Sequence, residues 1–280
     1  MALPIPKENT TAIVTGSSSG IGAEISRQLA RRGFGVTLVA RREDRLKELA
    51  DELAQTHRVR TEVIAADLTD AHSRADLPAQ VEARGLTVDI LVNNAGFTTM
   101  GPVYKADRSA ELAMIQTDVE AVVDLCTLFV PGMVTRRRGA VLNTASTAAF
   151  QPLPGQAGYG ASKAFVLSYS RALGAELRGT GVTVTALCPG PVETGFAEVA
   201  GITDEEAGES LPKFMWVPVA DVARAAVDGL ASGRPVVIPG AANRAAAGLA
   251  HLTPKALILP LLARQHPALK ERPGASSPND

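Results

Sequence analysis

A parallel α/β sheet covered by helices on both faces is the fold class that this 280-residue chain predicts. Three observations predict it. Short apolar, β-branched runs alternate with longer amphipathic ones from residue 10 to about residue 240. The short runs are apolar almost throughout, as expected of strands buried on both faces. A glycine-rich turn joins the first such run directly to the first helical pattern. Strands separated by helices imply right-handed crossovers and hence a parallel sheet.

In order, strands are expected at Thr11–Thr15, Gly35–Ala40, Arg60–Ala66, Asp89–Val92, Ala140–Ala145, Val182–Leu187 and Pro235–Pro239. Helical patterns lie between them near 20–32, 43–55, 70–84, 106–136, 156–178 and 218–232. No repeat or linker-like composition interrupts the series, so residues 1–240 read as one domain. Residues 192–216 break the last crossover with a mixed polar and apolar segment. An insertion just after a strand's C-terminal end is well placed to cover a ligand. Residues 241–270 read as a helical extension, with two short apolar helices split at Pro254. The tail, 271–280, is expected to be disordered.

Composition narrows the function classes. Hydrophobic residues make up 46% and charged residues 20%, and the net charge is −1. That balance gives no electrostatic case for a nucleic-acid or membrane-surface partner. The run Arg136–Arg138 reads as a solvated helix end, where positive charge complements the helix dipole. Cys126 and Cys188 sit in apolar contexts and read as buried, inert thiols. The four histidines have no metal-ligand spacing, so no metal site is expected. The N-terminus has no signal-like apolar region, and the longest apolar stretches are about half a membrane span. Cytoplasmic residence is the default expectation.

The turn Thr15-Gly16-Ser17-Ser18-Ser19-Gly20-Ile21-Gly22 follows the first strand and opens a helix. Its glycines allow a tight turn and close backbone approach to a pyrophosphate, with the helix N-terminus offering N–H groups to the anion. Gly16–Gly20 also matches G-x-S-x-G, the nucleophile elbow of α/β-hydrolases. That elbow normally follows several strands and needs a downstream acid and histidine. Here it follows the first strand, and His57, His72, His251 and His266 fall in peripheral helices, loops or the tail. At the end of the second strand stands Arg41-Arg42, where an NAD site usually has Asp or Glu. A guanidinium there, assigned to Arg41, would attract a 2′-phosphate, so NADP(H) is the expected cofactor.

Tyr159 and Lys163 are four residues apart on an amphipathic helix and share one face. A free tyrosine has a pKa of about 10, and a nearby ammonium stabilises the phenolate and lowers it. Ser146, at a strand end thirteen positions before Tyr159, is placed to donate a hydrogen bond to a carbonyl.

The whole pattern resembles the compact branch of the short-chain dehydrogenase/reductase family, over about residues 8–240. TGSSSGIG matches that family's cofactor turn, and Asp67-Leu68 its adenine contact. Asn93-Asn94-Ala95-Gly96 matches the motif after the fourth strand, and Ser146 with Tyr159-Gly160-Ala161-Ser162-Lys163 the catalytic residues. Pro189-Gly190-Pro191-Val192-Glu193-Thr194 matches the nicotinamide turn. The resemblance implies a Rossmann-type sheet of about seven strands in the order 3-2-1-4-5-6-7. It implies hydride transfer from NADPH to a carbonyl, with Tyr159 as proton donor, Ser146 orienting the oxygen, and Lys163 holding the ribose. The implied cofactor contacts are Gly16, Ser18, Ser19, Gly20, Ile21, Arg41, Asp67, Leu68, Asn93, Ala95, Gly96, Tyr159, Lys163, Pro189, Gly190, Val192 and Thr194.

One departure stands out. The family usually carries asparagine in its fourth helix, whereas aligning MIQTDVEAVVDL puts Asp118 there. An added carboxylate near Lys163 is expected to leave turnover intact but shift its pH optimum. The region from Lys213 through VVIPGAANR is similar to bacterial ketoacyl-type reductases. With Phe196, Phe214, Met215 and Trp216 in the lid, it suits a lipophilic ketone or 3-oxoacyl-type substrate. The resemblance also implies a homodimer or homotetramer, paired through the long fourth and fifth helices. Two further readings are a catalytically weak NADP(H)-binding regulator and a nucleotide-sugar epimerase or dehydratase. The intact Ser146, Tyr159 and Lys163 argue against the first, and the short C-terminal part against the second.

Overall fold

The computed structural model describes residues 3–192 and 212–253, with the isolated positions 259, 260, 263, 264 and 269. Seven strands form one parallel sheet: β1 (Thr10–Thr15), β2 (Gly35–Ala40), β3 (Thr61–Ala65), β4 (Thr87–Asn93), β5 (Gly139–Thr144), β6 (Val182–Leu187) and β7 (Val236–Val237). Their order is β3-β2-β1-β4-β5-β6-β7, as the sequence led us to expect. The strand order reverses between β1 and β4, and in such sheets ligands bind at that switch, outside the C-terminal strand ends.

Alternation along each strand builds two cores. On one face Ala12, Val14, Ile90 and Val92 pack against α1 (Gly20–Arg31), α2 (Glu43–His57) and α8 (Val219–Ala231). On the other, Ile13, Leu91 and Val141 meet α4 (Leu77–Glu82) and α6 (Ala121–Thr135). A third cluster joins Val122, Ala145, Ala186 and Cys188 to Val166 and Leu167 of α7 (Ala157–Glu176). The strands therefore have two buried faces, which is why they read as apolar runs rather than alternating ones.

Several local readings change. The helix expected over 70–84 is two, α3 (Ala71–Ala75) and α4, divided at Asp76. Asp70 caps the first through His72 N and Ser73 N, and a proline at the start of the second suits a new helix beginning there. The helix expected over 106–136 is α5 (Arg108–Ile115), a π turn over Gln116–Glu120, and α6. The expected strand Pro235–Pro239 shortens to two residues between its prolines, which donate nothing to a ladder. Of the extension, α9 (Ala241–Leu252) is present, while the second expected helix lies largely outside the described residues, as does the tail.

The run Arg136–Arg138 is not simply solvated. Arg138 Nε lies 2.7 Å from Asp89 Oδ2, and Asp89 is 2% exposed within β4. Arg136 donates to the Val88 carbonyl at 2.9 Å. A carboxylate buried in a strand needs a paired cation, and this run supplies it. Cys126 and Cys188 are buried and free, as expected. Among the described residues no helix is long and apolar enough to cross a membrane, and no cluster could hold a metal ion.

Candidate active site

Because the sheet is parallel, residues just beyond each strand gather at one edge. There lie Gly16–Ile21 after β1, Arg41 after β2, Asp67-Leu68 after β3, Asn93–Gly96 around the end of β4, Ser146 after β5 and Pro189–Val192 after β6. Thr194, Phe196 and most of the expected 192–216 lid lie outside the described residues.

The glycine turn is held by backbone geometry. Gly16 has φ +65°, and a Cβ on Gly22 would lie 2.5 Å from Asn94 Nδ2 and against the Gly16 carbonyl. Glycine at both places lets α1 pack close to β1 and the Asn94 segment. Thr15 Oγ1 accepts from Asn94 N at 3.0 Å and Ala95 N at 3.1 Å, and Asn94 Nδ2 donates to Thr15 O at 3.1 Å. Thr15 and Asn94 thus lock the two strand ends together, a role that local sequence pattern does not display. Ser19 occupies the N-cap position of α1 but its side chain makes no capping hydrogen bond, and the first turn has no acidic residue. The first N–H groups of a helix have no intrahelical partner, so this terminus presents unsatisfied donors.

The guanidinium that meets this turn belongs to Arg42. Its Nη2 donates to Ser18 Oγ and Ser19 Oγ, each at 2.9 Å. Arg41 is exposed beside it. At the turn after β3, Asp67 Oδ1 accepts from Thr69 N at 3.0 Å and Thr69 Oγ1 at 2.9 Å, which leaves Oδ2 toward other donors. The Leu68 carbonyl accepts from Arg74 Nη1 at 2.8 Å. Arg74 is 1% exposed and pairs with Asp124 at 2.7 Å and with Glu120.

On the other flank, side chains set the geometry. Asn93 Nδ2 donates to Asn143 Oδ1 at 2.9 Å, and Asn143 Nδ2 donates to Ser170 Oγ at 3.0 Å. That buried chain of amides ties β4 and β5 to α7, which carries Tyr159 and Lys163. Gln156 Nε2 holds the start of α7 to Thr98 Oγ1 at 2.8 Å. Ser146 hydrogen-bonds the Tyr159 phenol, accepts from Ala148 N at 3.1 Å and donates to the Pro189 carbonyl at 3.5 Å. Lys163 Nζ sits 5.5 Å from the centre of the Tyr159 ring.

Asp118 is fully buried in the π turn, with Oδ2 2.9 Å from Lys163 Nζ and Oδ1 accepting from Phe97 N at 3.1 Å. Lys163 also donates to Thr144 O at 3.3 Å. Burial pushes the Asp118 carboxyl up, although Lys163 pulls the other way. Burial opposes charge on Lys163, but Asp118 and Tyr159 together raise its pKa above the usual lysine range. The expected lowering of the Tyr159 pKa is outweighed. Burial raises it and Asp118 adds to that, while Lys163 and the Ser146 hydrogen bond oppose. The phenol is therefore a weaker acid here than a free tyrosine.

The arrangement can hold an anion at α1 and present one half-buried phenol beside a buried ammonium. A short chain dehydrogenase of Pseudocercospora fijiensis is 38% identical over 189 residues, covering 67% of this chain and 61% of that protein. A very-long-chain 3-oxoacyl-CoA reductase of Anas platyrhynchos is 35% identical over 196 residues, 68% of this chain and 62% of that protein. The chain spans about three fifths of the length of these two relatives. The structure of a short-chain dehydrogenase from Sphingobium yanoikuyae in complex with NADPH superimposes with a TM-score of 0.75 at 33% identity, covering 88% of this chain and 97% of that one. Residues 10–204 match the short chain dehydrogenase family, and the chain belongs to it.

Proposed function

We propose that this protein is an NADP(H)-dependent oxidoreductase that interconverts a carbonyl and a secondary alcohol. The observation that carries the reading is the half-buried Tyr159 between the buried Ser146 and Lys163, at the same sheet edge as a helix N-terminus whose N-cap side chain makes no capping hydrogen bond. The residues fit a dinucleotide. The donors of α1 and the Gly16–Ile21 backbone suit its pyrophosphate, and Asp67 Oδ2 with Leu68 its adenine. Arg41 and Arg42 suit a 2′-phosphate, and the related Sphingobium enzyme was solved with NADPH.

When bound, the cofactor supplies or accepts the hydride. The chain's own residues do the rest. Tyr159 donates its phenolic proton to the carbonyl oxygen as charge develops there, and takes it back in the alcohol direction. Ser146 donates a second hydrogen bond to the same oxygen and fixes its direction. Lys163, braced by Asp118 and Thr144 O, stabilises the phenolate left behind and would hold the ribose hydroxyls of the bound cofactor.

For the substrate, we favour a lipophilic ketone or a 3-oxoacyl-type carbonyl. Phe214 is 73% exposed in the 3-10 turn Lys213–Met215, and one relative is a very-long-chain 3-oxoacyl-CoA reductase. The same reading includes a homodimer or homotetramer. Leu112 and Ile115 on α5 and Phe165 on α7 leave apolar surface on the two helices expected to pair.

The test is NADPH consumption against a panel of ketones, aldehydes and β-ketoacyl thioesters. Turnover on at least one class, abolished in Tyr159→Phe, is the expected result. Tight NADPH binding with no turnover on any carbonyl would replace this reading with that of a regulator.

A further inference from the structure

The helix that follows the sheet, α9, places one fully buried polar side chain among backbone groups of the site. Asn243 is 0% exposed and lies on the same face as the buried Ala247 and Ala250. Its Nδ2 donates to Met215 O at 2.9 Å and to Pro239 O at 3.2 Å. It therefore ties the short 3-10 turn Lys213–Met215 to the end of the sheet. Its Oδ1 is buried without a hydrogen-bond partner. An unmatched buried acceptor costs about 1–3 kcal/mol, so an apolar residue would serve better if filling space were all that mattered.

What Oδ1 and Cγ face is Gly190. A Cβ on Gly190 would lie 2.5 Å from Asn243 Cγ and 2.6 Å from Nδ2, so the amide packs flat against that residue's backbone. Gly190 does not have a positive φ, so the space taken by Asn243, rather than backbone strain, excludes a side chain there. The turn so held connects onward. Pro189 O accepts from Thr147 N at 2.9 Å and from Ser146 Oγ, and Pro191 O accepts from Val217 N at 3.1 Å. Helix α9 also packs on the 3-10 turn Thr147–Phe150 that begins next to Ser146.

We propose that Asn243 is a positioning residue for the active site, fixing the Pro189–Pro191 turn from behind and through it the segment that carries Ser146. Helix α9 is then part of the catalytic scaffold rather than an appendage. This rests on the reading of Ser146 and the Pro189 turn as the carbonyl and nicotinamide side of the cleft.

A double-mutant cycle on the full-length protein tests it, using Gly190→Ala, Asn243→Ala and the pair. Three readouts are followed: amide exchange at Thr147, Cys188, Gly190 and Val192 in the cofactor-free protein, NADPH affinity by fluorescence, and KM against kcat on a carbonyl that the wild type reduces. Asn243→Ala is expected to speed exchange at the Thr147 amide and to weaken NADPH about tenfold. Gly190→Ala alone is expected to do worse, and the double variant to recover toward Asn243→Ala because the clash is gone. Asn243→Asp, which cannot donate to Met215 O or Pro239 O, is expected to match or exceed the Asn243→Ala defect. Unchanged Thr147 exchange and unchanged NADPH affinity in Asn243→Ala, or strictly additive effects in the cycle, would overturn the proposal. Exchange is read without cofactor, so a wild type that neither binds NADPH nor reduces any carbonyl sinks the functional reading and leaves this measurement to stand or fall by itself.

Discussion

The two flanks of the cleft hold their shape by different means. On the β1 side, Gly16, Gly22 and the uncapped start of α1 define the site, and the backbone does most of the positioning. On the β5–β6 side, Ser146, Tyr159, Lys163 and Asp118 define it, and each depends on a hydrogen bond or ion pair with another side chain. On the proposed function, the difference follows from the task each flank would perform. A pyrophosphate is bound by many N–H groups of similar strength, whereas a proton is moved by one atom of tuned acidity. A single polar atom removed on the catalytic side should end turnover and spare binding. A single carbon added on the phosphate side should end binding and spare the acid.

The largest effect is expected from Tyr159→Phe. Turnover should fall by about 10³-fold while NADPH affinity stays within a few-fold, read by steady-state kinetics and fluorescence titration. If NADPH affinity collapsed as well, the division between the flanks would fail. Gly22→Ala comes next. The added Cβ collides with the Gly16 carbonyl and Asn94, so NADPH affinity should drop roughly a hundredfold and stability by about 1–3 kcal/mol in a denaturant melt. Normal NADPH affinity in that variant would mean that the turn does not depend on close packing.

Arg42→Ala should weaken NADPH about tenfold and leave NADH unchanged, because only the former carries the 2′-phosphate. Running Arg41→Ala beside it decides which guanidinium matters, and an equal loss in both would assign the charge to the pair.

The smallest effect on rate, and the sharpest on acidity, is expected from Asp118→Asn. Asparagine can still accept from Phe97 N, so the fold should persist. Removing the carboxylate takes away one influence that raises the Tyr159 pKa. Tyrosinate absorbance, assigned by its loss in Tyr159→Phe, should then appear at lower pH, and the pH–rate profile should move the same way. Superimposable titrations would remove Asp118 from the acid–base chemistry. The sign for stability follows from the same shifts. Tyr159 and Lys163 hold their protons more tightly folded than unfolded. Their contribution is complete below their unfolded range and is lost as pH rises beyond about 10. The melting temperature of the cofactor-free protein should accordingly fall in that alkaline window.

Most of the fold was legible because its signals are local. An apolar run of five or six residues with two buried faces, a glycine turn, and a helix start each declare themselves within a few positions. Where one long pattern became two helices, as at Asp76, the break was written in Asp70, Asp76 and Pro78 but overridden by the apolar periodicity. The π turn over Gln116–Glu120 left no such trace, since its extra residue is accommodated by packing rather than by composition.

The chain's own order of residues thus determined the parallel sheet and the place of the glycine turn, and it singled out Ser146, Tyr159 and Lys163 as the candidate catalytic set. Local periodicity and the alignment of motifs at strand ends are enough for these. Tertiary structure decided which partners meet. It set Asp118 against Lys163 across 45 positions, Arg138 against Asp89 across 49, and Asn243 against the Gly190 turn. It also decided that the Tyr159 pKa lies above rather than below the ordinary tyrosine value, because burial outweighs the neighbouring ammonium. Desolvation and long-range pairing depend on what surrounds a group in space, and residue spacing along the chain carries no measure of that.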